Sequence, residues 1–519
     1  MKKILHFIVL IFISGIVFSQ PGQLDPAFGF QGRVITTTNG QTRLIALVLQ
    51  PDGKIIALGD HDADFEMVRY WPDGSKDRSF GVAGIATHKF TRNANACGMS
   101  LLENGQILVA ASTFTYLGTG PNDVSDIVLL RFNSNGTLDE KFGVNGIVTT
   151  DMEQLDRASS MAIQKDGKIL ITGGTTNNYL HWDMLTLRYL PDGKPDIGFD
   201  GKGYVIIKFD TASQIRYYGN FISAREDGKI LIGGGIINDK TYVIKPLLLQ
   251  FMPDGTLDNS FSSDGVASAI NFESIYSFAL QEDQKIIVSG TVPNWFYGSE
   301  AALMRFTANG EVDSSYGKNG VALIFNNTAL RTGVAAYIAI QKDGKVLCAG
   351  YGEHDINIPR EFDGMIRFTK DGKKDKSFGE NGAVHFPKYY GYHGYENKFP
   401  IVIQPDGKIL TGTNDHKKLI IFRLLNDQNE QLAEKDNQVI PEAGSIHIYP
   451  NPVTEKIFLK GLKDATANIK IMDIQGNIFM SKKLNIQETT IDVRNLKPGQ
   501  YLISIEQENK IISIAFLKQ

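Results

Sequence analysis

The side chains best suited to metal chemistry in this 519-residue chain are three alternating aspartates, Asp60, Asp62 and Asp64. Alternating carboxylates are typical of calcium loops. The EF-hand pattern fails here, because Phe65 replaces the turn glycine and Trp71 replaces the terminal glutamate. We therefore interpret this segment as a solvated polar loop, with a metal site as the alternative.

Catalytic motifs are absent from the sequence. It has no Gly-x-Ser-x-Gly elbow, His-Glu-x-x-His motif or phosphate-binding loop, and it predicts no catalytic residue and no cofactor. The formal net charge of −4 and the lack of a basic domain argue against a nucleic-acid partner.

Aromatic residues are the other candidates for ligand contact, since exposed rings suit sugars and protein partners. The alternative is that these rings pack their loops onto the neighbouring strands. The candidates are Trp182, Trp295, Tyr297, Tyr389, Tyr390, Tyr392 and Tyr395.

The scaffold that positions these residues is a repeat. The pattern Leu-Asp-x-x-Phe-Gly-x-x-Gly, clearest at 138–146, occurs seven times, and its last glycine recurs every 52 to 62 residues. Asp200 and Ser262 replace the first glycine in two copies, which predicts looser corners there. The final glycines are Gly32, Gly84, Gly146, Gly203, Gly265, Gly320 and Gly382.

Each repeat also contains a turn of the type Gln-x-Asp-Gly-Lys, as at 50–54. Asp-Gly between apolar runs indicates a β-hairpin, because such turns need a positive φ. Together with a strand ending in Arg69-Tyr70 and one beginning at Arg33, each repeat predicts four antiparallel strands. We interpret the recurring turn lysine as solvated and the recurring strand arginine as structural.

The apolar runs beside these turns are continuous, which is typical of sheets covered on both faces. Four-stranded sheets arranged radially satisfy this requirement, so the sequence predicts an all-β fold with a seven-bladed β-propeller at 20–425. An open β-solenoid is the alternative, although its repeats are usually shorter.

Loop lengths divide the predicted propeller into two faces. The hairpin face carries the Asp-Gly turns and the connections between third and fourth strands, which have constant length. The variable-loop face carries all other connections and the aromatic candidates. Variable loops on a rigid scaffold are the usual place for binding.

An aspartate follows the strand arginine, or Gln250, by eight residues in six repeats, which predicts a recurring pair. Arg423 lacks this partner, and Asp25 lacks an arginine before it. Both gaps close if the segment from Leu24 to Thr36 completes the last repeat. The repeat and its turn resemble the delta-60 repeat of bacterial β-propellers over residues 24 to 425.

The N-terminus has the pattern of a secretory signal peptide, with Lys2 and Lys3 before an apolar run and Ser19 at its end. We expect cleavage at residue 19, with an uncleaved anchor as the alternative. No later segment is long enough to span a bilayer. Residues 426–445 are polar and aperiodic, as expected of a linker.

Short β-rich runs divided by turns predict a small β-sandwich over residues 446–519. Three motifs there (449–452, 473–476 and 496–501) resemble the C-terminal sorting domain of type IX secretion cargo, with an immunoglobulin-like accessory domain as the alternative. The resemblance implies the type IX machinery as a partner, transit through the periplasm, and release or attachment at the cell surface. The determinants carried over are Pro450, Asn451, Pro452, Gly476, Gly499, Tyr501 and Lys518.

The sequence therefore predicts a secreted or cell-surface monomer that binds a glycan or a protein through the variable-loop face. A secreted propeller enzyme acting on glycans or lactones is the alternative. Catalysis is the less expected of the two, because no catalytic motif occurs.

Overall fold

The computed structural model describes residues 20–38, 40, 42–61, 64–115, 124–152, 155–176, 182–208, 215–238, 243–268, 272–294, 298–324, 332–353, 362–387, 399–426, 447–449, 455–460, 466–473, 477–485, 490–497, 499–507 and 510–518. Within these residues every helix or strand element is a β-strand. Helices capable of crossing a membrane do not occur among them. The predicted signal peptide lies outside them. The chain divides into two compact units, Met1–Gln428 and Asn429–Gln519.

Each sequence repeat forms four antiparallel strands, which we call a repeat sheet. The first three are β2 (Arg43–Leu49), β3 (Ile55–His61), β4 (Asp64–Tyr70) and β5 (Ile85–Lys89); β6 (Asn93–Leu101), β7 (Ile107–Thr115), β8 (Val124–Phe132) and β9 (Ile147–Thr150); and β10 (Leu155–Ile163), β11 (Ile169–Thr176), β12 (Asp183–Tyr189) and β13 (Tyr204–Ile207). A single parallel pair, Ser125 with Leu155, joins the second and third.

The next three repeat sheets follow the same order. They are β14 (Ile215–Ala224), β15 (Ile230–Asn238), β16 (Val243–Phe251) and β17 (Val266–Ala267); β18 (Ser274–Leu280), β19 (Ile286–Asn294), β20 (Gly298–Phe306) and β21 (Val321–Leu323); and β22 (Thr332–Ile340), β23 (Val346–Glu353), β24 (Phe362–Phe368) and β25 (Ala383–His385).

The closing sheet draws on both ends of the first unit. It contains β26 (Ile401–Ile403), β27 (Ile409–Asp415) and β28 (Lys418–Leu424), and its fourth strand is β1 (Arg33–Thr37). β1 pairs with β28 from Arg33↔Phe422 to Thr37↔Lys418. The predicted closure by the N-terminal segment is confirmed.

The turns fold as their composition requires. In the first repeat, the Gln50 amide donates to the Lys54 carbonyl at 2.8 Å, and Gly53 has φ 80°. A positive φ costs little only at glycine. The fifth repeat sheet reaches the same geometry with Gln284 at φ 64°.

The corners at Asp200 and Ser262 keep the bond to the next repeat that the glycine copies make. Both have φ 50°, and their amides donate to the Asp254 and Asn309 carbonyls of the next repeat at 2.8 Å. Gly81 makes the equivalent bond to Asn135 at 2.7 Å. The positive φ that Ala83 has in a glycine copy occurs one residue earlier here, at Gly201 and Ser263, and the two backbone bonds between Val82 and Ile85 have no counterpart in these described corners. The corners are therefore looser than the glycine copies, as predicted, although the bond to the next repeat is kept.

The first strands of successive repeat sheets contact one another, and β26 contacts β2, so the series closes into a ring. β2, β6, β10, β14, β18 and β22 each carry a β-bulge at the same place in the repeat. Consecutive residues Ile55–Leu58 are all fully buried, as expected when both faces of a sheet are covered.

The second unit contains two sheets over a shared core. One orders β29 (His447–Tyr449), β30 (Lys456–Lys460) and β33 (Thr490–Asp492). The other orders β32 (Ile478–Asn485), β31 (Thr466–Asp473), β34 (Gly499–Gln507) and β35 (Lys510–Lys518). The core includes Ile457, Ile469, Ile471 and Ile503.

Candidate functional site

The hairpin face carries one polar network in every repeat. In the first repeat sheet, Arg69 Nε donates to Asp77 Oδ2 at 2.9 Å, and the guanidinium carbon lies 4.6 Å from the ring centre of Phe80. The same arginine–aspartate bond recurs at 2.7–2.9 Å in Arg131–Asp139, Arg188–Asp196, Arg305–Asp313, Arg367–Asp375 and Arg423–Asp25. The predicted pairing is confirmed, including the pair that spans the closure.

The turn lysine joins this network, so the prediction that it is merely solvated was wrong. Lys229 Nζ lies 2.8 Å from Asp258 Oδ2, and Lys285 Nζ lies 3.3 Å from Asp313 Oδ2. The hairpin turn places the lysine beside the aspartate of its own repeat. The carboxylate is thus held between two cationic or amide donors.

The pKa of every repeat aspartate is lowered. Burial of Asp313 acts in the opposite direction, but hydrogen bonds from Ser315 and Lys285 and the charge of Arg305 outweigh it and lower the pKa to about 2. The other lowered groups are Asp25, Asp77, Asp139, Asp196, Asp258 and Asp375. Carboxylates held in the charged form by fixed partners are structural and poorly suited to proton transfer.

These arginines also connect neighbouring repeats. Arg131 Nη1 donates to the Pro191 carbonyl at 2.8 Å, and Arg305 Nη1 donates to the Lys370 carbonyl at 2.8 Å. Arg367 Nη1 instead donates to the side chain of Asn426 at 2.7 Å. Asn426, which the sequence assigns to the linker, therefore contacts the ring.

The fourth repeat sheet exchanges two residue types. Gln250 occupies the arginine position, and Arg225 occupies the place of the turn glutamine. Arg225 Nη1 donates to Gln250 Oε1 at 2.7 Å and to the Ala308 carbonyl of the next repeat at 3.3 Å. Gln250 Nε2 donates to Asp258 at 2.7 Å. The guanidinium thus still reaches the next repeat, from a different strand.

On the variable-loop face, Trp182 is the one aromatic candidate among the described residues. It is half-buried, and its ring centre lies 5.2 Å from the guanidinium carbon of Arg157, which is exposed. A Cβ at Gly174 would lie 2.9 Å from Trp182 Cε3, so the indole rests on the β11 backbone. The Tyr217 amide of the next repeat donates to the Trp182 carbonyl at 2.7 Å. Trp182 is therefore both packed and accessible, at the edge between two repeats.

The remaining aromatic candidates, Trp295, Tyr297, Tyr389, Tyr390, Tyr392 and Tyr395, lie outside the described residues.

Asp60, the first residue of the weak metal candidate, is 1% exposed and is bound by cationic and amide donors. Arg43 Nε and Nη2 donate to its two oxygens at 3.1 and 2.9 Å, and the Ala96 amide donates at 3.1 Å. Asp64 lies near Lys89, and Asp62 lies outside the described residues. Groups of three possible metal ligands do not occur in the part of the chain that the structure describes.

The structure brings together three carboxylates that the sequence analysis missed: Asp126, Asp151 and Asp156. Burial and then the charge of Asp151 raise the pKa of Asp126, while Arg92 opposes the shift. Burial also raises the pKa of Asp156, against a 2.6 Å hydrogen bond from Thr175 Oγ1. Asp126 occupies the place of Asp64 and Asp183 in the neighbouring repeats, whose carboxylates lie near Lys89 and Lys208. Asp151 stands where those repeats have the lysine, and aligning the seven copies would have marked it.

Two rings also meet inside the ring of sheets. Phe221 on β14 and Tyr337 on β22 contact edge to face, with ring centres 6.3 Å apart. Their strands belong to repeat sheets separated by the β18 sheet, so the contact spans the interior. Burial raises the pKa of Tyr337.

Three of the sorting determinants are described: Gly499, Tyr501 and Lys518. Gly499 pairs with Lys518, and Tyr501 and Lys518 are buried. The Tyr501 hydroxyl donates to the Lys497 carbonyl at 3.0 Å. Pro450, Asn451, Pro452 and Gly476 lie outside the described residues.

Residues 447–519 match the family described as the secretion system C-terminal sorting domain. Residues 50–80, 102–142, 164–199 and 225–261 match a family described as a domain of unknown function, the DUF5122 beta-propeller. Comparison with curated proteins gives no match.

Several solved structures are similar to the chain. They include a polysaccharide lyase of family PL25, ulvan lyase (TM-score 0.43, 10% identity, 76% of this chain and 96% of that chain), a catalytically inactive virginiamycin B lyase from Staphylococcus aureus with quinupristin (0.39, 12%, 76% and 99%), and Drosophila plexin A in complex with semaphorin 1b (0.37, 8%, 78% and 87%). Likeness at this level carries no argument about ligand or activity.

Proposed function

Because the chain carries a β-propeller and a type IX secretion sorting domain, and is exported to the cell surface or extracellular space, we propose that it is a non-enzymatic binding protein. Its propeller is a seven-bladed monomer over residues 20–425, and its ligand is a glycan or a protein held by the variable-loop face. Residues 1–19 are the signal peptide, 426–445 the linker and 446–519 an immunoglobulin-like sorting domain. The number of repeat sheets supports the blade count.

The observation that carries the proposal is the accessible Arg157–Trp182 pair on the variable-loop face. A guanidinium beside an indole offers both charge and an apolar ring surface, which suits sugars and protein side chains. The hairpin face, in contrast, uses its arginines and aspartates within its own network. Ligand contact is therefore assigned to the variable-loop face.

The test is a glycan and peptide binding screen on the full chain, followed by alanine substitution. Each of four alanine variants should weaken binding of the identified ligand by at least about tenfold, which is the loss of one good contact. The variants are Trp182→Ala, Trp295→Ala, Tyr390→Ala and Tyr392→Ala. Trp71→Ala is the matched control, since Trp71 is 43% exposed on the hairpin face.

The melting temperature separates binding from packing. Variants that bind weakly but melt within about 1 °C of the wild type support the proposal, since in a ring of about 400 residues a loss of about 2 kcal/mol by mispacking would shift Tm by about 2 °C. An equal loss of binding in Trp71→Ala, or a large loss of stability in the four variants, contradicts it.

A second candidate, a secreted enzyme acting on glycans or lactones, is favoured by one observation. Asp126 and Asp156 have raised pKa values, as general acids require. Turnover of a glycan or lactone that is lost in Asp126→Asn, but retained in the matched variant Asp166→Asn on the hairpin face, would support this candidate. Binding without turnover excludes it.

A further inference from the structure

In the second unit, residues far apart in sequence converge at one end of the sheet formed by β32, β31, β34 and β35. Asp473, at the end of β31, pairs with Tyr501, and Gly499 pairs with Lys518. The Asn477 amide and side chain both donate to the Asp473 carboxylate at 2.9 Å. Asn477 directly precedes β32. The sorting determinants Gly499, Tyr501 and Lys518 therefore share this end with the start of β32.

Ile478 and Phe479, the first residues of β32, are exposed at this end. Their exposed fractions are 57% and 56%, and no other large hydrophobic residue described in this unit is as exposed. β32 is an edge strand of its sheet. Ile478 pairs with Met472, which also pairs with Leu502, and both of these partners are half-buried. Ile478, Met472 and Leu502 thus form a small apolar row on the face turned away from the core, since Leu502 lies between the core residues Tyr501 and Ile503.

Phe479 lies on the core-facing side of β32, where an aromatic contact holds it in its exposed position. Its ring centre lies 5.5 Å from that of Tyr501, at an interplanar angle of 88°. Tyr501 is itself fixed, because it is 6% exposed and its hydroxyl donates to the Lys497 carbonyl. An apolar side chain fixed before binding loses little conformational entropy on docking, which favours a role as an anchor.

The charges around this surface indicate the chemistry of its partner. Lys470, Lys483 and Lys497 are exposed on the same strands or beside Tyr501. Asp473 is occupied by Asn477. A partner surface that buries Ile478 and Phe479 must therefore also meet lysines, so carboxylates at its rim provide complementarity.

We propose that Ile478 and Phe479 are the apolar anchors by which the type IX export machinery holds this unit. The partner is a protein cleft that receives the edge strand β32, with apolar contacts for both of its faces and carboxylates at its rim. This inference deepens the export part of the proposed function and is independent of what the variable-loop face binds. A ligand screen that fails on the propeller therefore leaves it untouched.

The experiment measures, in a host with type IX secretion, the fraction of the full chain that reaches the surface and medium. Ile478→Ser, Phe479→Ser and the double variant should lower that fraction, the double variant by at least tenfold, with the chain retained in the cell. Phe479→Leu, which keeps an apolar anchor, should retain most export. The matched control is the double variant Val82→Ser and Val144→Ser, since these residues are 83% and 76% exposed on the ring.

Four outcomes would overturn the proposal. Normal export of the Ile478/Phe479 double variant is one. A defect confined to Phe479 variants is another, because Phe479 would then act by packing on Tyr501. A changed oligomeric state of the purified double variant with normal export would assign the surface to a second copy. Normal export of a chain lacking residues 447–519 would remove the sorting premise itself.

Discussion

The two faces of the ring use the same residue types to opposite effect. On the hairpin face, Arg367 is fully buried and its Nε donates to Asp375 at 2.8 Å. On the variable-loop face, Arg157 is exposed beside Trp182. The hairpin face lowers the pKa of its aspartates, whereas burial and neighbouring carboxylates raise the pKa of Asp126 and Asp156.

This difference shows how a repeat protein separates structure from function. A network that recurs in every copy stabilises the ring and is already satisfied. Residues that break the repeat, such as Asp151 and Trp182, have no equivalent in the other copies that would explain them as scaffold. Deviation from the repeat is therefore a better guide to a functional residue than recurrence.

The largest expected effect is acid unfolding of the ring. A carboxyl with a lowered folded-state pKa stabilises the protein above its unfolded pKa, and this stability is lost as pH falls through the folded pKa. For Asp313 the window runs from its usual 3.8 to about 2. Urea unfolding followed by tryptophan fluorescence should show a steep loss of stability below pH 4, since all three tryptophans lie in the first unit.

The variable-loop face should contribute to this pH dependence with the opposite sign. The raised pKa values of Asp126 and Asp156 favour folding when these groups are protonated, and that contribution disappears as pH rises through their folded pKa. Asp313→Asn should therefore reduce the loss of stability below pH 4, whereas Asp156→Asn should leave that loss unchanged. If the free energy of unfolding falls equally steeply below pH 4 in the wild type and in Asp313→Asn, this pH dependence does not come from Asp313.

A second comparison removes one arginine from each face. Arg367→Ala leaves Asp375 as a buried carboxylate with fewer partners, and the free energy of unfolding should fall by about 3–5 kcal/mol. Arg157→Ala removes an exposed cation–π contact and should cost below about 1 kcal/mol. Similar losses in the two variants, measured by urea denaturation, would show that the faces do not differ in this way.

The exchanged pair in the fourth repeat sheet sharpens the comparison. Arg225→Gln alone removes the guanidinium, and Gln250→Arg alone places a second one against it, so each should cost about 1–3 kcal/mol. The double variant restores the common arrangement and should recover most of the loss. The double-mutant cycle should give a coupling of about 0.5–3 kcal/mol. Additive losses would mean that the two positions act independently.

The smallest expected effect concerns two tyrosine hydroxyls. The Tyr70 hydroxyl lies 2.6 Å from Thr36 Oγ1, whereas the Tyr316 hydroxyl is buried without a hydrogen-bond partner in the described structure. Tyr70→Phe should cost about 1 kcal/mol, and Tyr316→Phe should be neutral or stabilising. Destabilisation by Tyr316→Phe as large as that of its control would indicate a bound partner, such as an ordered water.

The sequence was sufficient for the strands, the hairpins, the Arg–Asp pairs and the closure, because all depend on spacing within a repeat. Contacts that depend on how strands align in three dimensions were beyond it. Lys229 contacts Asp258, which lies 29 residues further along the chain. Arg225 supplies the guanidinium that an arginine on the third strand supplies in the other repeats, and it contacts Gln250 at that position. The approach of Asp126 to Asp156 was missed for the same reason, since it joins two neighbouring repeats.

The closing sheet has a consequence for the order in which the chain folds. Asp25 and Arg423 are 398 residues apart, so this pair closes a loop that spans nearly the whole ring, and loops of this length close late. Until β28 is available, β1 has no partner and both edges of the incomplete ring are open to association with other chains. A chain that crosses a membrane from its N-terminus would therefore arrive as an open arc, and a single late event would remove both edges at once.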